Sequence, residues 1–306
     1  MTTAAKKEQL MNRKGSKKTA FIYLAPAMVV ILIFLYLPII LNFMNSLYKW
    51  GAISKEVTWV GFEYYKELLH DRVIHTALKN NVIFAVTSVI CQIGVSLVIA
   101  ALLESKFMRR WQSVFYTIYF IPSLLMITVT GITFKMLYSP TIGLLNPVLA
   151  KLGIDVSNIA ILADAETAIW GVAAMSQWQF IGYTVVLFIV SMQSISDDIY
   201  EAADIDGCGM FRKFFSLTLP YIKPTIIMTV LLRTIWIFNS FDLIVIITGG
   251  GPVNYSQTLP SYMYSKAFAS YDFGLASAFG VLLIVILGIY AVLFLKLSNY
   301  DKAGDF

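Results

Sequence analysis

Residues 80–103 read NNVIFAVTSVICQIGVSLVIAALL, 24 positions without an Asp, Glu, Lys or Arg. A helix of about 20 apolar residues, rising roughly 1.5 Å per residue, crosses the hydrocarbon core of a bilayer. Outward from this stretch the same charge-free pattern returns between Lys18 and Lys49, Arg110 and Lys135, Glu166 and Asp197, and Asp272 and Lys296. A further apolar stretch, Pro224 to Thr248, carries only Arg233 and Asp242. The pattern predicts an all-α integral membrane protein with six transmembrane helices, near 20–42, 80–103, 113–137, 167–192, 224–248 and 274–296. A spanning β-barrel would show alternating strands of about 10 residues, and these runs are longer and unbroken.

Composition agrees with that reading. Of 306 residues, 58% are hydrophobic and 13% charged, and the mean hydropathy is +0.74. A soluble domain carries about 25% charged residues, so too little polar surface is left here to cover a globule in water. Basic residues Lys6, Lys7, Arg13, Lys14, Lys17 and Lys18 precede the first apolar run. That run exceeds the 7–15 residues of a signal-peptide core, which predicts an uncleaved first helix behind a basic tail.

With the N-terminus inside, Lys and Arg residues are about twice as numerous in the cytoplasmic segments as in the external loops. This asymmetry places both termini in the cytoplasm. It also accounts for the net charge of +5 without invoking nucleic acid. The expected organisation is a basic cytoplasmic tail over 1–19, a transmembrane domain over 20–297 and a cytoplasmic C-terminal tail over 298–306. Cys91 falls inside the second span and Cys208 in a cytoplasmic loop, so they should not pair. No metal-ligand spacing is present, and His70 and His75 in an external loop read as solvated. The first external segment should hold an amphipathic helix, with Phe62, Tyr65, Leu68 and Leu69 at helical spacing, lying on the membrane surface.

The cytoplasmic loop over about 194–223 contains SISDDIYEAADIDGCGMFRKFFSLTLPYIKP. Ser196 can cap a helix, with Asp197 and Asp198 in its first turn facing the positive dipole end. Gly207 is a natural left-handed stop. A second short helix is expected near 209–216, with Pro220 and Pro224 breaking the chain before the fifth span. Ala202 and Ala203 would offer a flat face to another protein, although helical loops also serve as plain connections between spans.

The spacing of Glu201, Ala202, Ala203, Gly207, Leu219 and Pro220 resembles the cytoplasmic signature of permease subunits in binding-protein-dependent ATP-binding-cassette importers. Leu217 stands where that signature usually has Ile. LAPA with Pro26, YLP with Pro38, and FNSFDLIVIITGGGP are similar to the sugar-importing, maltose-type branch, specifically the permease carrying the larger half of the sugar site. The resemblance runs from about Phe21 to Leu297. It implies a type I ABC importer permease fold, a second homologous permease, two ATPase subunits and an extracytoplasmic solute-binding protein. ATP and Mg would sit on the ATPase subunits, with no cofactor on this non-enzymatic chain. The loop would be the coupling helix, with Glu201, Ala202, Ala203, Asp206, Gly207, Leu219 and Pro220 facing the ATPase. The chain would reside in the cytoplasmic (inner) membrane and import a sugar or oligosaccharide.

Polar groups inside the membrane are functional candidates. Gln177, Trp178 and Gln179 lie about 18 Å from the outer end of the fourth span at 1.5 Å per residue. Trp178 and Gly182 would share one face, as would Gln179 and Tyr183. On a continuous fifth span, Trp236, Asn239 and Asp242 would share a face beside Phe238. Aromatic rings stack on sugars and amides bind hydroxyls, although the same groups also serve helix packing. The resemblance implies sugar contacts at Trp178, Gln179, Tyr183, Phe238 and Asn239. Arg233 and Asp242 would lie on opposite faces, so Arg233 should pair with another helix, and Lys135 should snorkel outward. The TGGGP turn, Gly249 to Gly251, lacks a phosphate-loop pattern and reads as a flexible external turn. The rival reading is a stand-alone secondary transporter or a membrane enzyme. The lone intramembrane carboxylate and the lack of a reactive cluster speak against both.

Overall fold

A computed structural model describes residues 19–52, 56–105, 107, 108, 110–156, 160–298 and 300. The basic residues before Thr19, together with Lys55, Lys106, Arg109 and Lys302, lie outside the described residues.

Four helices are long and apolar enough to span: α1 (Thr19–Asn45), α3 (Arg72–Glu104), α7 (Ala168–Gln193) and α13 (Phe273–Leu297). The external α2 (Glu63–His70) precedes α3. The third predicted span is two pieces, α4 (Gln112–Leu124) and α5 (Ile127–Leu137), bent by 94°. The fifth is also two, α10 (Lys223–Phe238) and α11 (Asp242–Ile247). Short helices α6 (Leu145–Lys151) and α12 (Leu259–Phe268) follow α5 and α11. Between α7 and α10 lie α8 (Asp197–Ile205) and α9 (Met210–Tyr221).

Two expectations are therefore corrected. The third span is not continuous over 113–137. Pro122 sits in a 3₁₀ turn, Ile121–Leu124, and Leu125 and Met126 are extended before α5 begins. A prolyl ring removes a backbone donor and restricts the residue before it, and the turn tightens around that defect. The fifth span is not continuous over 224–248. It stops at Asn239, whose Nδ2 donates to the Ile235 carbonyl at 2.9 Å. Asn239 and Asp242 are thus not one turn apart on a single helix.

The core lies where α3 and α7 run side by side, with Phe84, Phe188 and Met175 fully buried. The α3 helix starts at Arg72, earlier than expected, because the Asp71 carboxylate accepts from the Val73 amide at 2.8 Å. The amphipathic α2 packs Tyr64 and Leu68 into the protein and leaves Phe62 and Leu69 exposed, so it is a bracket on the bundle rather than a free surface helix. The Tyr64 hydroxyl donates to Asp272 at 3.1 Å. Burial, and then the Asp272 carboxylate, push its ionisation upward, which keeps it a donor. His70 and His75 turn back to the Lys66 and Leu69 carbonyls. Cys91 and Cys208 are free.

Candidate functional site

The fourth predicted span carries the residues singled out by the sequence, and α7 sends most of them to one task. Gly182 faces the first half of the broken third span, where a Cβ would stand 1.9 Å from the Tyr119 carbonyl oxygen. Gln179 faces the break: its Nε2 donates to the Leu125 carbonyl at 2.9 Å, and its own carbonyl accepts from the Ser123 hydroxyl at 2.6 Å. Trp178 faces the second half, its ring 5.3 Å from that of Phe134. Three side-chain positions along α7 thus seat α4, the break and α5 in turn. A helix interrupted in the membrane frees carbonyls that find no water there, and a neighbouring amide satisfies one.

The second interruption is managed in the same way by a residue the sequence reading passed over. Asn81, fully buried on α3, donates to the Phe238 carbonyl at 2.9 Å and accepts from the Leu259 amide at 2.6 Å. Asn80 donates to the carbonyls of Tyr255 and Gln257, tying down the loop after α11. That loop was expected to be a flexible turn. It is instead bonded on several sides, with the Ser256 hydroxyl lying within hydrogen-bond distance of both the Thr248 hydroxyl and the Gly251 carbonyl. Gly249 and Gly250 take positive φ, the left-handed backbone a turn of this kind requires.

The predicted contact residues divide into two groups. Gln179 and Phe238 are buried, at 0% and 6% exposure. Trp178 and Tyr183 are 45% and 50% exposed, Trp236 is exposed beside them in sequence order on α10, and Asn239 is exposed at its end. Asp242 is half-buried in the first turn of α11. Both amide atoms of Gln177 are buried without a partner among the described residues. An exposed aromatic-amide surface is what one half of a site shared between two chains would present. The cavity of ≈ 510 Å³ in the structure lies elsewhere, at the outer ends of α5 and α11, lined by Lys135, Tyr138, Ser139 and Thr248 among others. None of the predicted contact residues lines it.

Arg233 pairs with another helix, as expected. Its Nε and Nη2 donate to Gln92 Oε1 on α3 at 3.0 and 2.7 Å. An ion pair lies instead between α8 and α9, Lys213 with Asp204.

The region between α7 and α10 is a capped hairpin. The Ser196 hydroxyl accepts from the Asp198 amide, α8 ends, and Gly207 turns left-handed at φ +71°. Lys213 on α9 reaches Asp204 on α8, and the Tyr200 hydroxyl meets that of Thr218 at 2.9 Å. Burial pushes the Tyr200 ionisation upward. Glu201, Ala202 and Asp206 are exposed. Ala203 is not part of the outer face: it is buried at 6% exposure. Ile205 and Phe211, 87% and 80% exposed, supply the apolar area instead. The second arm runs on to Tyr221 with Pro220 inside its last turn, longer than the 209–216 expected.

This combination of broken spans and an outward helical hairpin has known counterparts. The sequence model of the family described as "Binding-protein-dependent transport system inner membrane component" matches residues 92–299. The chain belongs to that family: it is a membrane-embedded permease subunit and not an enzyme. A probable ABC transporter permease protein of Bacillus subtilis, YurN, is 40% identical over 89% of this chain and 92% of its own. The arabinooligosaccharides transport system permease AraP of the same organism is 30% identical over 98% and 95%. A bacterial alginate ABC importer structure superposes with a TM-score of 0.82 at 21% identity, covering 95% of this chain and 98% of that one, and shows the shared permease fold.

Proposed function

We propose that this chain is the permease subunit of an ATP-driven, receptor-dependent importer of a sugar or oligosaccharide. The observation that carries the reading is the α8–α9 hairpin, which presents Glu201, Ala202, Asp206, Ile205 and Phe211 to the cytoplasm on a frame braced by Lys213, Asp204, Tyr200 and Thr218. Such a frame is shaped to receive force from another protein. Relatives named for arabinooligosaccharide and trehalose/maltose transport support a saccharide as cargo. A solved relative complexed with a substrate-bound periplasmic protein supports an external receptor.

In this reading two ATPase subunits hold ATP and Mg and dock on the hairpin, with Gly207, Leu219 and Pro220 setting its shape. A second permease covers the exposed Trp178, Tyr183 and Asn239, and the sugar passes between the two chains. Gln177 and Asp242 border that passage. Gln179 and Phe238 support it from behind. Both termini face the cytoplasm.

The test is purification followed by reconstitution with the cognate receptor. The intact chain should bring an ATPase with it and show receptor-stimulated uptake. Glu201→Lys and Gly207→Pro should abolish uptake while the membrane subunits remain inserted. Normal uptake by both variants would remove the hairpin from the mechanism.

A further inference from the structure

Arg233 is the one charged residue among those buried in the described part of the chain, at 8% exposure, and it lies in α10 within the membrane-spanning region. No carboxylate lies within ion-pairing distance of it among the described residues. A buried cation without a counter-ion is costly, and intramembrane charges mark the path of what moves through.

Its surroundings hold it in place without neutralising it. Gln92 is fixed first, donating Nε2 to the Phe180 carbonyl at 2.8 Å, which leaves its Oε1 directed at the guanidinium. Arg233 spends Nε and Nη2 on that one neutral oxygen. The guanidinium carbon sits 4.6 Å from the Trp236 ring centre and 5.3 Å from that of Phe180. Those two rings meet edge to face at 4.6 Å, so the cation rests in an aromatic corner. Nη1 makes no hydrogen bond among the described residues, and it is absent from the fully buried, unpartnered polar atoms. A guanidinium has five donors in a planar fork, and here the Nη1 edge remains free and reachable. The reachable neighbours are Trp236, 38% exposed, and Tyr183, half-exposed and within electrostatic range of Arg233.

We infer that Arg233 receives a carboxylate carried by the transported saccharide, so that the cargo is an acidic sugar such as a uronate oligosaccharide. The inference rests on the saccharide reading above and narrows it. Trp236 would stack on the pyranose face, and the Nη1 edge would take the carboxylate, a match that a neutral hydroxymethyl group at the same ring position cannot make. Gln92 is a positioning residue: it orients the fork and keeps its free edge turned outward.

The experiment uses the whole complex with its receptor in proteoliposomes. The probes are oligogalacturonates and oligoglucuronates of two to four residues and the same oligosaccharides after carboxyl reduction. The wild type should favour the acidic set. Arg233→Gln should lower the acidic-to-reduced uptake ratio about tenfold or more, with Arg233→Lys intermediate. Gln92→Glu, which supplies an internal counter-ion and keeps the side-chain size, should lower the ratio as well, and it decides the matter if Arg233→Gln fails to assemble. Preference of the wild type for the reduced set, or a ratio unmoved in these variants, overturns the acidic assignment and leaves saccharide import standing. Uptake of neither set by the wild type overturns both. Loss of assembly in Arg233→Gln with an unmoved ratio in Gln92→Glu would assign Arg233 to a carboxylate of the partner permease, which also overturns it.

Discussion

The two interrupted spans are stitched by the same chemical group used to different extents. At the fifth, Asn81 is bonded at both ends of its amide: the nitrogen holds the Phe238 carbonyl and the oxygen holds the Leu259 amide. At the third, Gln179 is half-used, with Nε2 on the Leu125 carbonyl and Oε1 buried without a partner. An amide bonded at both ends fixes a break, because moving it forfeits two bonds at once. A half-used amide has a spare acceptor, so the seat it makes can be rearranged at lower cost. The comparison separates a static interruption, at the end of α10, from one able to adjust, beside Trp178 and Tyr183.

The largest expected effect follows from the amide bonded at both ends. Asn81→Leu leaves a buried carbonyl and a buried amide unsatisfied, each costing about 1–3 kcal/mol. The midpoint of thermal unfolding of the purified complex should drop further than for any other substitution discussed here. Gly182→Ala comes next. Its methyl would meet the Tyr119 carbonyl, and since that atom is backbone the first half of the third span must shift, at about 1–3 kcal/mol. Gln179→Leu should cost less than Asn81→Leu by the same assay, because it strands one carbonyl and removes an already orphaned oxygen. If Gln179→Leu proves the more damaging, the contrast between the two breaks collapses. The effects of Asn81→Leu and Gln179→Leu should add, since the residues share no partner. Smallest in stability is Trp178→Ala, which leaves basal ATPase activity of the complex in place and lowers uptake about tenfold, roughly 1.4 kcal/mol of stacking. Uptake at wild-type rate in that variant would make Trp178 a packing residue for α5 alone.

The spans were legible because charge is sparse and its gaps are long, a signal that survives coarse reading. The capped hairpin was legible because Ser196 and Gly207 act on their own neighbours. The breaks were not equally so. Pro122 announces the third in IPSLL, and a reading based on charge gaps alone passes over it. Nothing in FNSF announces the fifth, because the group that stabilises it, Asn81, is 157 residues away in sequence. The partner of Arg233 was hidden for the same reason: Gln92 is 141 residues distant. Gln179 was legible as an intramembrane amide, yet its burial and its bond to Leu125 depend on a kink in another helix. Ala203 was taken for outer surface because the sequence alone does not say which side of α8 is buried.

One residue, Ile222, separates α9 from α10, and it is buried at 2% exposure. The two helices meet there at 67°. With so short a joint there is little slack for a movement of the α9 arm to be lost in. α10 is about 24 Å long at 1.5 Å per residue, so a tilt of about 10° at Ile222 would carry its far end about 4 Å sideways, and because Asn81 holds the Phe238 carbonyl there, α3 would have to travel with it. That far end holds Trp236 and Asn239, with Arg233 two-thirds of the way along. A displacement of atomic size in the α8–α9 hairpin would therefore reach the exposed Trp236 and Asn239 as a joint movement of α10 and α3.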